Sequence, residues 1–131
     1  MILLMRFRTL PRLLAFFLVA AIAFAHHSSV MFDRDSEITL KATVKEFFFI
    51  NPHCSVTVTV TGDNGKTTDW SFEAASVQGM VRAGWRKSTI KPGDSVTIVG
   101  HPLRNGEHGA QLVRVTLSDG TTLKSSEGGN Y

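Results

Sequence analysis

Apolar and polar residues alternate along five segments of this chain, which is the pattern of half-buried β-strands. These segments are 37–50, 55–61, 67–74, 95–101 and 110–117. In the first of them the alternation ends at Phe47-Phe48-Phe49-Ile50. Four consecutive apolar residues there predict either a long strand buried on both faces near its end or a bulge. After Gly120, a short Thr-Thr-Leu predicts an additional edge strand.

One segment, Ser76 to Trp85, has helical spacing instead. Val77, Met80 and Val81 recur at intervals of three and four residues, the spacing of one helix face. Ser76 is a residue type that caps helix N-termini. Because Gly79 and Gly84 weaken a helix, the segment predicts a short helix of about two to three turns.

The order of these elements is three strands, one helix and two strands. This order is typical of the OB-fold, and it predicts a mainly β protein, a small five-stranded OB-like Greek-key barrel with one short helix between strands 3 and 4. A long, bent first strand fits such a barrel. An open β-sandwich with the helix at one end is the alternative that the order leaves open.

The N-terminal segment has the pattern of a secretory signal peptide. Arg6, Arg8 and Arg12 precede an apolar run from Leu13 to Ala25, and this run ends in Ala23-Phe24-Ala25. The apolar run is short of the roughly 20 residues that span a bilayer, although an uncleaved anchor is the alternative. We therefore predict a cleaved signal peptide over residues 1–25 and a periplasmic or secreted protein. An N-terminal arm over 26–36, a barrel over 37–123 and a flexible tail over 124–131 are predicted to follow.

The predicted cleavage changes the net charge of the protein. The chain has 14 Lys and Arg against 11 Asp and Glu, a formal net charge of +3. The predicted signal peptide carries three of the basic residues and none of the acidic ones, so the remaining chain is balanced. The basic excess therefore gives no support to binding of nucleic acid or to stable membrane insertion after cleavage.

The histidines are the strongest candidates for chemistry. All five, His26, His27, His53, His101 and His108, follow the predicted cleavage site. Cleavage after Ala25 would place an α-amine and two imidazoles at one chain end, and copper(II) favours such nitrogen ligands. In the predicted barrel, His53 and His108 lie in the two loops that flank the OB binding face, and His101 ends strand 4. The sequence predicts that these five histidines bind copper or another divalent metal, and His26 and His53 are the strongest candidate ligands.

Each histidine also has a structural interpretation, as part of an arm, a turn, a strand end or a solvated loop. The terminal arrangement is similar to the histidine brace of copper oxygenases and of some copper carriers. The only cysteine, Cys54, excludes an intramolecular disulfide and is predicted to be buried. Cys54 and His53 do not form a convincing nucleophile pair, because adjacent strand residues point to opposite faces. The chain has no CxxC, HExxH or G-x-S-x-G motif, and no catalytic residue is predicted.

Several short motifs occur in a fixed order along the chain. They are His26-His27-Ser28, Met31-Phe32-Asp33, Asn51-Pro52-His53, Gly84-Trp85, Lys91-Pro92-Gly93-Asp94 and His101-Pro102-Leu103. In this order they resemble a bacterial family of small exported proteins, the domain-of-unknown-function family 6152, over roughly residues 26–123. The resemblance implies export and a small β-rich domain, and it supplies no activity or catalytic residue.

Three functions are compatible with these features. The first is a non-enzymatic, exported binding module that holds copper or another divalent metal. The second is a periplasmic interaction or envelope-structural domain without metal, whose partner is an unknown periplasmic protein. The third is a histidine-brace copper enzyme, which the absence of a substrate-groove motif does not favour.

Overall fold

The computed structural model describes residues 30–126, which form six strands and one helix. The elements are β1 (Ile38–Phe48), β2 (Ser55–Thr61), β3 (Thr67–Glu73), α1 (Val77–Arg82), β4 (Ser95–Pro102), β5 (Gly109–Leu117) and β6 (Thr122–Lys124). Among these residues, no helix has the length and hydrophobicity to span a bilayer. His26 and His27 lie outside the described residues.

The first five strands close into a barrel. β1 pairs antiparallel with β2 on one side and with β4 on the other, and β2–β3 and β4–β5 are also antiparallel. A parallel pairing of β3 with β5, with Ser71 opposite Gly109, completes the ring. The predicted OB-like barrel with its helix between strands 3 and 4 is therefore confirmed, and the sandwich alternative is wrong. The predicted edge strand is β6, which pairs with β5.

β1 is long because it serves both sides of the barrel. It pairs with β4 from Ile38 to Thr43 and with β2 from Thr43 to Phe48, with a bulge between Val44 and Glu46. The bulge predicted for this part of the strand is thus confirmed, and it lies just before the aromatic run. The alternative, burial of the strand end on both faces, is wrong. Alternation continues after the bulge, so Phe48 is 46% exposed and Ile50 58% exposed.

One end of the barrel is closed by α1 and the residues after it. The hydroxyl of Ser76 accepts a hydrogen bond from the Gly79 N–H at 3.2 Å, as the predicted N-cap does. The helix is shorter than the predicted 76–85, because Gly84 adopts a positive φ of 93° that ends it. This turn directs Trp85 into the barrel, where its side chain is fully buried together with Met80.

The second half of the predicted arm, residues 32–36, docks onto the barrel. Phe32 is 6% exposed and forms an isolated β-bridge with Leu103. The Asp33 N–H donates to the Pro102 carbonyl at 2.8 Å, and Glu37 forms an ion pair with Arg114 at 3.3 Å. The last residues of the predicted arm over 26–36 are therefore fixed to the end of β4.

The ordered chain also extends past the predicted barrel end at residue 123. Lys124 lies in β6, and its carbonyl accepts a hydrogen bond from Trp85 Nε1 at 2.7 Å. Ser125 is 3% exposed, and its hydroxyl accepts from the Ala75 N–H at 3.2 Å. These bonds hold residues 124 and 125 against the residues that flank α1. The prediction of a flexible tail from residue 124 is therefore corrected for these two residues.

Removal of these residues is expected to destabilise the barrel. A chain that ends at Leu123 should lose about 1–2 kcal/mol of unfolding free energy, because Trp85 Nε1 and the Ala75 N–H lose their acceptors and find only water. Urea denaturation followed by circular dichroism measures the loss. A chain that ends at Ser126 is the control, since it keeps both bonds. Equal stability of the two chains would contradict the prediction.

Candidate functional site

His53 lies in the loop between β1 and β2, as predicted, and contacts the end of β3. Its Nδ1 is 3.3 Å from the Ala74 carbonyl oxygen and 3.8 Å from Glu73 Oε1. The peptide bond between Asn51 and Pro52 is cis. The Asn51 side chain accepts a hydrogen bond from the Val77 N–H at 3.0 Å. His53 therefore joins the β1–β2 loop to the region where β3 leads into α1. Its side chain is half exposed.

His108 lies in the loop between β4 and β5, also as predicted. Its ring packs against Trp70, with centroids 4.8 Å apart and planes inclined by 37°. The His108 carbonyl accepts a hydrogen bond from the Ser71 N–H at 3.1 Å. The residue thus attaches the β4–β5 loop to β3 at the point where the parallel pairing begins.

His101 lies near the end of β4, where the sequence places it. Its Nδ1 is 2.8 Å from the carbonyl oxygen of Ser36, so the ring donates to the docked segment before β1. The side chain is partly buried. His101 therefore holds the segment before β1 to the barrel, and the ring nitrogen nearest to the protein is engaged in this bond.

The three barrel histidines do not converge. His108 contacts Trp70 and His53 contacts Ala74, four residues further along the chain, which corresponds to roughly 13 Å of extended strand. Metal ligands must lie about 2 Å from one shared ion. Within residues 30–126, no group of three His, Cys, Asp or Glu side chains is placed to hold a metal. A site with three such ligands would therefore need at least one residue outside this range.

Four carboxylates of the barrel are partners in ion pairs. Hydrogen bonds from Lys45 and Thr59 lower the pKa of Asp69, and hydrogen bonds from Lys91 lower the pKa of Asp94. Asp33 and Glu37, in the segment before β1, pair with Arg104 and Arg114 of the barrel. General acids at neutral pH need the opposite, a raised pKa. These carboxylates therefore stabilise the loops and strands that they join.

Cys54 is fully buried, which confirms the prediction from its sequence position. Its N–H donates to Ala75 and its carbonyl accepts from Ala74, so the backbone extends the β2–β3 ladder. Burial raises the pKa of the Cys54 thiol. A thiol with a raised pKa is a poor nucleophile, since the thiolate is the reactive form.

A hydroxyl-lined groove lies on the outer surface of β2, β1, β4 and β5. Its volume is about 390 Å³. Seven hydroxyl side chains line it, namely Thr43, Thr59, Thr61, Ser95, Thr97, Thr116 and Ser118. Among the described residues, Lys41 is the only charged one that lines it, and Ala42, Val96 and Leu117 complete the lining. We refer to this surface as the hydroxyl groove.

Strand register explains why these hydroxyls meet. Thr43 pairs with Thr59 in β2 and with Ser95 in β4, because it lies where β1 passes from one partner to the other. In a second row, Lys41 pairs with Thr97, which pairs with Thr116. Directly paired residues share a face of the sheet. The groove could not be predicted from the sequence, since alternation shows that threonines face outward but not which of them are neighbours.

A family model described as "Family of unknown function (DUF6152)" matches residues 15–112. The chain therefore belongs to this family, and the resemblance inferred from its motifs is confirmed. The comparisons with curated proteins and with solved structures gave no match.

Proposed function

We propose that this member of the family is an exported, non-enzymatic binding module that holds copper or another divalent metal ion at its N-terminus. Cleavage after Ala25 would free the α-amine of His26, whose pKa near 8 leaves it partly deprotonated at neutral pH. The amine and the imidazoles of His26 and His27 then supply three nitrogen ligands of the kind that copper(II) prefers. The bound metal would be held by this chain end.

The observation that carries this proposal is the docking of the segment that follows the histidine pair. Phe32 is buried and Asp33 is bonded to Pro102 and to Arg104. Phe32 is the sixth residue after His26, and six residues span at most about 20 Å. A short tether of this kind limits the conformational freedom that a metal-binding end loses on binding.

The barrel histidines have other roles in this proposal. His53, His101 and His108 each contact a different part of the fold, so they are not expected to bind one ion together. We also propose binding rather than catalysis, because Asp33, Asp69 and Asp94 pair with cations and hydrogen bonds lower the pKa of each of these carboxyls. A histidine-brace enzyme would use the same His26 ligation and would in addition need a substrate surface beside it.

The proposal predicts that the mature protein binds one copper(II) ion at its N-terminus. Mass analysis of the exported protein should give a chain that begins at His26. Replacement of both His26 and His27 by Ala should weaken copper binding by at least about tenfold. Loss of a residue that only hydrogen-bonds to a metal ligand already weakens metal binding by that much. Copper titration followed by electron paramagnetic resonance and native mass spectrometry measures the affinity.

Two further variants make this experiment decisive. One Gly added before His26 should also weaken binding, because the added residue moves the α-amine away from the histidines. A His53→Ala/His108→Ala double variant is the matched control and should bind copper as the unchanged protein does. A mature chain that begins elsewhere, or copper binding that survives His26→Ala/His27→Ala, would show that the proposal is wrong.

An interaction domain without metal is the second candidate. It is favoured by Phe48 and Ile50, which point outward from the end of β1 and are 46% and 58% exposed. Exposed apolar side chains of this size mark protein contacts when they form a patch. In this case, substitution of all five histidines should leave the recovery of a partner from envelope extract unchanged, whereas a Phe48→Ser/Ile50→Ser variant should abolish it.

A further inference from the structure

Among the residues that the structure describes, Lys41 has no acidic partner, and it lies in the hydroxyl groove. Lys45 and Lys91, in contrast, form ion pairs with Asp69 and Asp94. Within residues 30–126, Lys41 forms no ion pair, and no carboxylate lines the groove around it. The groove therefore combines the positive charge of Lys41 with seven hydroxyl groups. Two of these already have partners, because the Thr59 hydroxyl donates to Asp69 and the Thr116 hydroxyl is bonded to that of Thr122.

The lining of the groove excludes several kinds of ligand. It contains no aromatic side chain, so the stacking that holds nucleobases on OB-folds is not offered here. Its apolar residues, Ala42, Val96 and Leu117, are partly or fully buried, so the surface is unsuited to an apolar partner. Serine and threonine hydroxyls both donate and accept hydrogen bonds. A ligand with many hydroxyl groups of its own is matched to such a surface.

The size of the groove is also informative. It crosses β2, β1, β4 and β5, so it extends over three spacings between strands, or roughly 14 Å. Its hydroxyls form rows across the strands, with Thr59, Thr43 and Ser95 in one row and Thr97 and Thr116 beside Lys41 in the next. A chain-like ligand that runs across the strands would contact both rows.

We propose that the hydroxyl groove binds an acidic oligosaccharide. The Lys41 ammonium would contact a carboxylate of the sugar chain, which is a charge-assisted interaction about twice as strong as a neutral hydrogen bond. Thr43 and its neighbours would exchange hydrogen bonds with the sugar hydroxyls. The inference is independent of the proposed N-terminal metal site, because none of the described histidines, His53, His101 and His108, lines the groove.

The test is a titration of metal-free protein with a short oligogalacturonate, followed by isothermal calorimetry and by amide NMR shifts. We expect binding that weakens as salt is added, because exposed charges are screened. Lys41→Met should weaken it about tenfold and Thr43→Val about threefold, since the first removes the charge and the second one hydroxyl at the crossing of the rows. Amide shifts should concentrate on β1 and β4.

Matched controls separate the groove from general surface effects. Lys87→Met removes an exposed lysine outside the groove, and Thr39→Val removes an outward hydroxyl of β1 that does not line it. Both should bind as the unchanged protein does. A neutral malto-oligosaccharide and inorganic phosphate are the other two ligands. Absence of oligogalacturonate binding, equal binding of either other ligand, or binding unaffected by Lys41→Met would each overturn the proposal.

Discussion

Replacement of Trp85 by Ala is expected to lower the unfolding free energy by about 3–5 kcal/mol. The indole is fully buried, and its ring centroid lies 5.7 Å from that of Phe47. Its Nε1 donates to the Lys124 carbonyl, so the same side chain fills the barrel end and holds β6. Because domains of this size are stable by about 5–15 kcal/mol, the variant should lose much of its stability.

Urea denaturation followed by far-ultraviolet circular dichroism measures this loss, and two variants divide it. Trp85→Phe keeps a buried ring but removes the N–H donor, so it should cost less than Trp85→Ala. Trp70→Ala is the matched control, because Trp70 is only partly buried and should cost less as well. If Trp70→Ala were as destabilising as Trp85→Ala, the assignment of Trp85 as the central residue of this end would fail.

The strands and the helix could be predicted because their signals are local. β2 has the predicted bounds, since alternating Val and Thr define a face and Asn64-Gly65 define the turn that follows. The helix was predicted too long, because Trp85 continues the apolar spacing although Gly84 has already ended the helix. Its burial comes from the turn and not from a helix face.

The candidate site was less accessible to sequence reasoning. The placement of His53 and His108 in two loops follows from element order and is confirmed, but their partners follow from the tilt and pairing of β3, which no local pattern shows. The hydroxyl groove depends in the same way on register. A shift of β1 by one residue against β4 would place different side chains beside Lys41.

The motifs that identify the family have structural explanations in most places. Gly93 has a φ of 94° in the turn where Asp94 accepts from the Lys91 N–H at 2.9 Å, and the Gly93 N–H donates to Val44. His101-Pro102-Leu103 holds the segment that precedes β1. These two motifs stabilise the fold, whereas the pair His26-His27 belongs to the proposed metal site.

Gly100→Ala is expected to be the second most destabilising of the substitutions considered, by about 2–3 kcal/mol, the upper part of the range for overpacked cores. A Cβ at this position would lie 2.7 Å from the Gln111 carbonyl oxygen and 2.8 Å from Phe72 Cε1. The carbonyl belongs to the β4–β5 pairing, and Phe72 is fully buried, so neither atom can move away cheaply. The register shift at Val99 and Gly100 brings the backbones to this close approach.

Gly109→Ala tests whether the identity of the neighbour sets this cost. A Cβ there would lie 2.5 Å from Leu103 Cδ1, the far end of a partly exposed side chain that can rotate away. Denaturation should therefore show a smaller loss for Gly109→Ala than for Gly100→Ala. In a double-mutant cycle, Phe72→Leu removes ring atoms beside position 100, so Gly100→Ala should cost less in that background than alone. Additive costs would place the strain on the Gln111 carbonyl, in the β4–β5 pairing itself, and not on the aromatic core.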